Sequence, residues 1–400
     1  MLAHAERTSR FYAEMLAGLG ASSQDIRTWG DFRRLPLIAK EDIRQSQAAM
    51  LSRAVRPRDC TAHLTSGTSS PATSLTEPRD AWDLEHAFFH RWYGWMGYRY
   101  GARAAVVSSS PERKPRELNP LGNVMNAHVM GVDTESLDTV IDDLRRFSPQ
   151  VVRGYPSLLT LLSERLLERS DAGSLPGVTH VFFMSEKPLK RHYEAVEQAF
   201  GVRPVSSYGQ AERVALAQQC PASDALHVIP EYSYVELVRP DGSHIDAPGE
   251  TGMIVGTSFA NYAVPLIRYR TDDWATLASS GRYSACGREY WSLSAVDGRT
   301  GDFIRTRSGR WWSPTVLDWA TPYGRTPVVE SQLRQTSLDD VEITVVPAHG
   351  FAELDREAWA EGLRSLLDEP GLRVTVRLVD RIERPASMKQ RFVVGLDILE

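Results

Sequence analysis

Between residues 137 and 209 the apolar residues change period repeatedly, and this alternation constrains the fold more than any other feature. LDTVIDDLRRF (137–147) spaces its apolar residues as one face of a helix does, and PQVVRGY (149–155) follows as a short apolar run. SLLTLLSERLLER (157–169) returns to helical spacing, and VTHVFFMSE (178–186) reads as a buried strand. KRHYEAVEQAF (190–200) is again helical, and RPVSSYG (203–209) is a further strand. Such alternation implies a parallel sheet with helices on its faces. Ligands bind such sheets beyond the carboxyl ends of the strands, where Ser185-Glu186 and Ser207-Tyr208-Gly209 are expected.

Beyond about residue 227 the pattern becomes antiparallel. YSYVELV (232–238), a Pro240-Asp241-Gly242 turn and TGMIVGTSF (251–259) read as partner strands. From about residue 302 a smaller unit starts, with a hairpin around Ser308-Gly309. Strands VEITVVP (341–347) and VTVRLVD (374–380) flank a helix, DREAWAEGLRSLL (355–367). Four hundred residues exceed what one core sustains. The expected class is therefore α/β in two domains. Residues 1–301 form a large N-terminal domain, a parallel sheet flanked by helices plus an antiparallel portion; residues 302–400 form a small, mobile α+β lid.

Composition excludes several function classes. With 42% hydrophobic and 24% charged residues the chain is globular. Its 46 basic and 51 acidic residues leave −5, with no basic cluster of the kind nucleic acid requires. The densest charge run, Glu164–Arg169 in SERLLERS, is expected on a solvated helix face. No stretch of about eighteen apolar residues predicts a membrane span, and MLAHAERTSRFYAEML lacks the apolar run of a secretion signal. Three cysteines, Cys60, Cys220 and Cys286, suit a reducing cytoplasm better than a disulfide scaffold.

LTSGTSSPATSLTEP (64–78) packs five Ser and Thr and one Gly into Thr65–Ser70. Backbone N–H groups in such a loop can approach an anion while the hydroxyls donate too. It lacks the lysine and spacing of a Walker loop. Downstream, in order, come MSEKPL (184–189), SSYGQAE (206–212), PLIRYRTDDW (265–274), GRTGDFI (298–304) and PASMKQRFVV (385–394). This ordered set resembles the adenylate-forming ligases, most nearly the phenylacetate–coenzyme A ligase and capsule-biosynthesis branch. HAERTSRFYAEML, FRRLPLIAKEDIR (32–44), RGYPSLL (153–159) and ALHVIPEYSYVEL (225–237) extend the resemblance over nearly the whole chain.

The resemblance implies roles residue by residue. Ser66, Gly67, Thr68 and Ser69 would wrap the ATP phosphates, and Ser185, Glu186 and Lys187 match the stretch that meets adenine. Ser207, Tyr208, Gly209 and Gln210 would border adenine and substrate, and Glu212 would help to hold Mg²⁺, a hard cation suited to carboxylate. Asp273 matches the residue that accepts both ribose hydroxyls, a task for one carboxylate. Arg299 matches a ribose or phosphate contact, and Asp302 the hinge of the small domain. Lys389 matches the catalytic lysine, a cation that offsets the repulsion between an attacking carboxylate and a phosphoryl group.

Three departures from the family pattern stand out. Ser70-Pro71 replaces Gly-x-Pro with no basic residue directly after, Asp272 occupies a usual Gly position, and Met388 replaces a common Gly before Lys389. Some relatives carry Cys…His…Cys-x-Cys suited to zinc; here Cys220, His227 and Cys286 align, but Ser284 takes the fourth position. A closed zinc site wants four ligands, so buried thiols beside a hydrogen-bonded histidine are expected instead. HAFFHRWYGWMGYRYG (86–101) is the segment to enclose a flat or apolar acid, with His90 and Tyr93 as candidates, although such rings also pack cores.

The implied reaction is ATP-dependent activation of a small carboxylic acid, then transfer to a small acceptor. Coenzyme A leads the acceptors, with an amine or hydroxyl as the alternative. A nucleotide-binding homologue impaired in catalysis is the rival from another class. Neither nucleic acid nor membrane is an expected partner, and a homodimer is left open.

Overall fold

The alternating segment folds as its periodicity requires. In the computed structural model, Ala104–Ser108 pairs in parallel with Val124–His128 and with Val151–Gly154, which pairs in parallel with His180–Phe183. Phe182 and Phe183 pair with Val205 and Ser206, and Arg116–Asn119 closes the far edge antiparallel to Val124–His128. Helices Thr134–Phe147, Pro156–Glu168 and Lys190–Phe200 bury Ile141, Leu144, Leu159, Leu162 and Val196 against Val107, Val152 and Val181. Pro156 opens its helix at a position needing no N–H, and Gly201 (φ 70°) ends the next in the left-handed region. The structure describes residues 1–64, 73–108, 114–129, 134–169, 175–279, 286–299, 302–312, 314, 317–318, 321–322, 326–369, 371–383 and 391–396.

The charge run Glu164–Arg169 departs from the solvated face expected of it. Arg165 donates to both oxygens of Asp138 at 2.8 Å, and Arg169 adds a bond of 2.9 Å to the same carboxylate. Glu164 is largely buried, and burial pushes its carboxyl pKa up to about 7. Glu168 stays exposed as expected, while Arg165 and Arg169 are paired and Glu164 is largely buried, so the run is only partly solvated.

Two compact units partition the chain: Met1–Tyr100 with Ser207–Val296, and Gly101–Ser206 with Asp297–Glu400. Within the second, residues from 302 onward build a four-stranded sheet in the order Arg373–Leu378, Asp340–Pro347, Val328–Ser337, Val393–Val394. Helix Glu353–Leu367 covers it, burying Trp359 and Leu363 against Leu333, Ile343, Val345 and Val376, and Leu189 joins that cluster. The hairpin around Ser308-Gly309 forms between Ile304–Arg305 and Trp311–Trp312, with Gly309 at φ 83°.

The first unit is antiparallel where the alternating pattern indicated. Ser233–Val238 pairs with Thr251–Ser258 in the register Ser233↔Ser258, and Thr251–Ser258 pairs with Tyr269–Ser279. Ser207–Gly209 pair with Leu216–Gln218. Cys60–Leu64 and Ser74–Pro78 form a separate ladder in which Leu64 faces Ser74. Among the described residues no helix is long and apolar enough to cross a membrane.

One glycine ties this sheet to the Tyr-Gly-x-x-Glu turn. Gly256 lies so close under Val214 that a Cβ there would overlap the Val214 carbonyl. Backbone cannot yield as a flexible side chain does. Gly256→Ala is expected to lower unfolding stability by about 1–3 kcal/mol, as overpacking does, measured by urea denaturation.

Candidate functional site

Three motifs that are distant in sequence converge in the first unit. Tyr208 lies at the end of strand Val205–Gly209, and its hydroxyl donates to Oδ2 of Asp273 at 2.8 Å. Asp273 lies on strand Tyr269–Ser279 and is 8% exposed. Its own N–H donates to Thr271 Oγ1 at 3.1 Å, and that hydroxyl donates to the Ile254 carbonyl. The carboxylate is thus held by its backbone and by a phenol, yet two carboxylate oxygens offer about four acceptor sites. Asp272, expected from the resemblance to replace a Gly, has φ 63°, and its carboxylate lies 2.9 Å from Arg270 Nε. Asp tolerates the left-handed conformation better than most residues, so the replacement preserves the turn.

Glu212 is half-buried and accepts the Tyr269 hydroxyl at 3.1 Å. Arg213 follows at φ 51°, and its guanidinium reaches Glu77 and Glu85 (3.1 Å from Nε) while lying 4.9 Å over Trp82. Tyr232 donates to the second oxygen of Glu85 at 3.0 Å. These supporting residues were not among the sequence candidates. Only the adjacency of Arg213 to Glu212, and of Tyr269 to the PLIRYR run, signalled them. With its side-chain oxygen and nitrogen exchanged, the Gln210 amide pairs with the Ala215 backbone at 2.7 and 3.3 Å.

Ser66, Gly67, Thr68 and Ser69 lie outside the described residues, as do Lys389, Met388 and Ser284. The ladder Leu64↔Ser74 fixes the strands on either side of the Ser/Thr stretch. At its exit Arg44 Nε donates to Thr73 Oγ1 at 3.0 Å, bringing from helix Lys40–Met50 a cation that the loop's own sequence lacks.

In the second unit Ser185 (φ 65°) turns the chain out of strand His180–Phe183. The Glu186 carboxylate then accepts Ser157 N–H and Oγ, each at 3.1 Å, at the start of helix Pro156–Glu168. A carboxylate there complements the helix dipole, so Glu186 fastens the turn to the helix. Lys187 Nζ is buried, 3.5 Å from Asp297 Oδ1. Burial pushes its pKa down to about 8 against the attraction of Asp297 and Asp302. Arg299 N–H donates to Asp302 Oδ2 at 3.0 Å, and Arg391 donates to Asp302 Oδ1 at 3.2 and 2.7 Å.

Comparison with known proteins bears on the fold and on the chain's relatives. A phenylacetate-coenzyme A ligase of Thermus thermophilus is 24% identical over 379 residues, spanning 88% of this chain and 80% of the relative. Protein CapK of Staphylococcus aureus is 20% identical over 350 residues, 85% of this chain and 75% of that one. No family model matches. A crystal structure of 2-hydroxyisobutyryl-CoA ligase in the postadenylation state, in complex with R3-HIB-AMP, shares the fold with a TM-score of 0.80 at 20% identity. That match covers 100% of this chain and 88% of the other. The chain is similar over most of its length to adenylate-forming ligases of the phenylacetate–coenzyme A ligase-like branch.

Two further features take definite form here. On helix Ala81–Trp95, Trp92 and Tyr93 are buried, and Trp92 donates to the Gln219 carbonyl at 2.6 Å. His90 is exposed, with its ring near those of Tyr93, Tyr98 and Tyr100. The helix therefore supplies both core rings and an outward aromatic face. Cys220, His227 and Cys286 bring their ligand atoms within 4.8 Å of one another. His227 Nε2 is 3.2 Å from Cys220 Sγ and 3.4 Å from Cys286 Sγ. Burial raises the Cys220 pKa and lowers that of His227, so both favour neutral forms. That arrangement suits the thiol–imidazole hydrogen bonds expected from sequence, and the three soft donors also fit three positions of a zinc site.

The buried lysine gives a test with a definite sign. The native chain sheds the Lys187 proton near pH 8, whereas the unfolded chain keeps it until about 10.5. Stability should therefore rise with pH across that window, by about 3 kcal/mol from this group. Lys187→Met should remove that part of the rise when wild type and variant are compared by urea unfolding from pH 7.5 to 10.5.

Proposed function

We propose that this chain uses ATP to activate a small carboxylic acid as its acyl-adenylate, then transfers the acyl group to coenzyme A. The observation that carries the reading is the convergence of Tyr208, Asp273, Glu212 and Tyr269 through the hydrogen bonds at 2.8 and 3.1 Å. Asp273, on strand Tyr269–Ser279, would accept ribose hydroxyls, and Glu212, in the turn after strand Val205–Gly209, would offer a metal a hard donor. The phenylacetate-coenzyme A ligase relatives lend the acid class, small and aryl or acyl.

In the first half-reaction a carboxylate oxygen bonds to the α-phosphorus and the bond to pyrophosphate breaks. Asp273 orients the ribose, Tyr208 borders the base, and Ser66, Gly67, Thr68 and Ser69 receive the departing phosphates, with Arg44 adding charge at the loop's exit. Glu212 fits Mg²⁺: it is a hard oxygen donor, oriented by Tyr269, and a divalent cation held there would offset phosphate charge. Ser185, Glu186 and Lys187 form the adenine-side turn, whose shape depends on the Glu186–Ser157 bonds. Lys389 would supply the cation that offsets the repulsion between the two anions that must meet. In the second half-reaction residues 302–400 swing about Asp302, and the acceptor attacks the acyl carbon as AMP leaves. Zinc at Cys220, His227 and Cys286 would be structural, since none of these residues is needed in either step. The sparse cysteines suit work in the cytoplasm.

Pyrophosphate release tests the reading, with phenylacetate, benzoate, 2-hydroxyisobutyrate and medium-chain fatty acids as substrates. Wild type should release pyrophosphate only with an acid present, and Lys389→Ala should lower kcat by about 10²–10³-fold with little change in unfolding midpoint. ATP binding without acid-dependent release from the wild type would favour a nucleotide-binding homologue impaired in catalysis. Mass spectra of products formed with coenzyme A, amines or no added nucleophile decide the acceptor. Ser66→Ala with Thr68→Ala should slow adenylation at least tenfold while leaving stability within about 1 kcal/mol.

A further inference from the structure

His63 lies on strand Cys60–Leu64, which leads into the Ser/Thr stretch, and each of its ring nitrogens meets an acceptor. Nε2 is 3.3 Å from the Ala211 carbonyl oxygen, in the turn that carries Glu212. Nδ1 is 3.5 Å from Oε1 of Glu77. Leu75 is the residue opposite His63 in the ladder, so Glu77, two positions on, is its diagonal neighbour on the same face. A carbonyl and a carboxylate only accept, so the ring donates to both when each nitrogen carries a proton. Glu77 is 3% exposed, and its other oxygen accepts the Arg213 guanidinium, which also reaches Glu85. Two carboxylates face one guanidinium in this cluster, and an imidazolium completes the balance.

The two arms of the ring serve different ends. The contact with Glu77 belongs to the buried charge cluster that joins strand Ser74–Pro78 to Arg213. The contact with Ala211 bears directly on Glu212. A peptide group is planar, so a donor on the Ala211 carbonyl fixes the plane that also carries the Glu212 N–H. At its other end the Glu212 carboxylate is oriented by the Tyr269 hydroxyl at 3.1 Å. The rest of the turn is fastened separately: Arg213 N–H donates to the Gln210 carbonyl at 3.0 Å, and Gly256 packs under Val214. His63 thus grips, from outside the turn, the peptide from which the carboxylate projects.

We propose that His63 is a positioning residue for the metal: through the Ala211 carbonyl it sets where the Glu212 carboxylate meets a divalent cation on the nucleotide, while its arm to Glu77 serves the fold. The proposal rests on the reading of Glu212 as the Mg²⁺ donor. Groups that orient a metal ligand from behind matter nearly as much as the ligand, and their loss costs about tenfold or more in metal affinity. The loss therefore falls on the part of nucleotide affinity that the metal supplies, and not on the part that the protein supplies without it.

The experiment uses the full chain as wild type, His63→Gln, His63→Asn and His63→Phe. Glutamine keeps a donor near the place of Nε2, toward Ala211, and asparagine one near the place of Nδ1, toward Glu77; phenylalanine keeps neither. Calorimetry measures the affinity for α,β-methylene-ATP, which releases no pyrophosphate, once with saturating Mg²⁺ and once with EDTA. The ratio of the two affinities is the metal's share. It should fall about tenfold in His63→Asn and His63→Phe, with metal-free affinity held within about twofold, and His63→Gln should keep most of it. A ratio unchanged in all three variants, an equal loss with and without metal, or a glutamine variant as impaired as the asparagine one would overturn the proposal. Nitrogen NMR of the metal-free chain labelled at histidine gives a readout free of nucleotide. Nε2 of His63, assigned by its absence from His63→Gln, should carry a proton at neutral pH, and a bare Nε2 would overturn the bond to Ala211 on its own. A wild type whose nucleotide affinity ignores Mg²⁺ would sink the metal reading of Glu212 and this proposal with it. Absence of acid-dependent pyrophosphate release leaves the binding ratios readable, so the adenylation reading fails separately.

Discussion

A single buried guanidinium holds the first unit's chemistry in register. Arg213 is 7% exposed and faces two carboxylates, Glu77 on strand Ser74–Pro78 and Glu85 on helix Ala81–Trp95. Removing one partner from such a cluster leaves an uncompensated buried charge, at a cost of about 3–5 kcal/mol. A lysine could not replace it, because a point charge cannot reach two carboxylates in fixed directions while stacking on Trp82. Strand Ser74–Pro78 is the one that leaves the Ser/Thr loop, and Arg213 immediately follows Glu212. One side chain therefore fixes both the strand that follows the Ser/Thr stretch and the turn that carries Glu212. The close approach of Gly256 to Val214 fixes the same turn from below.

Much of the fold was legible because its local signals were strong. The helices at 134–147, 156–168 and 190–200 and the strands between them announce themselves by period, and the antiparallel pair 233–238 and 251–258 by alternation. The motifs were legible as short strings in a fixed order. The bonds that join them were not, since Tyr208 meets Asp273 across 65 positions, and Arg213 meets Glu85 and Glu77 across 128 and 136. Nothing in periodicity reports pairing over such distances. The run Glu164–Arg169 misled for a related reason: charge composition says nothing of which helix lies opposite, and here Asp138 on a neighbouring helix takes up Arg165 and Arg169. Glu186 likewise has a local duty, at the start of helix Pro156–Glu168, that its motif does not announce.

The departures from the family pattern fall on one chemical side. The acceptor groups of the proposed site, Asp273 and Glu212, are present and oriented by tyrosines. What has changed is the donor side: Ser70-Pro71 in place of Gly-x-Pro, no basic residue directly after the loop, and Met388 in place of Gly. Asp272 shows that a missing glycine need not mean a lost conformation, since it occupies the left-handed region itself. A loop of neutral donors binds a polyanion more weakly than one that carries a cation, because charge-assisted hydrogen bonds are about twice as strong as neutral ones. In the proposed reaction the balance must then come from cations brought by other elements. Arg44 is the proposed source at the loop's exit, where its Nε contacts Thr73 while its Nη1 pairs with Glu41 at 2.9 Å. Charge moved from the loop to a helix is held more rigidly, so a grip that is weaker in the ground state need not be weaker once the phosphates begin to separate.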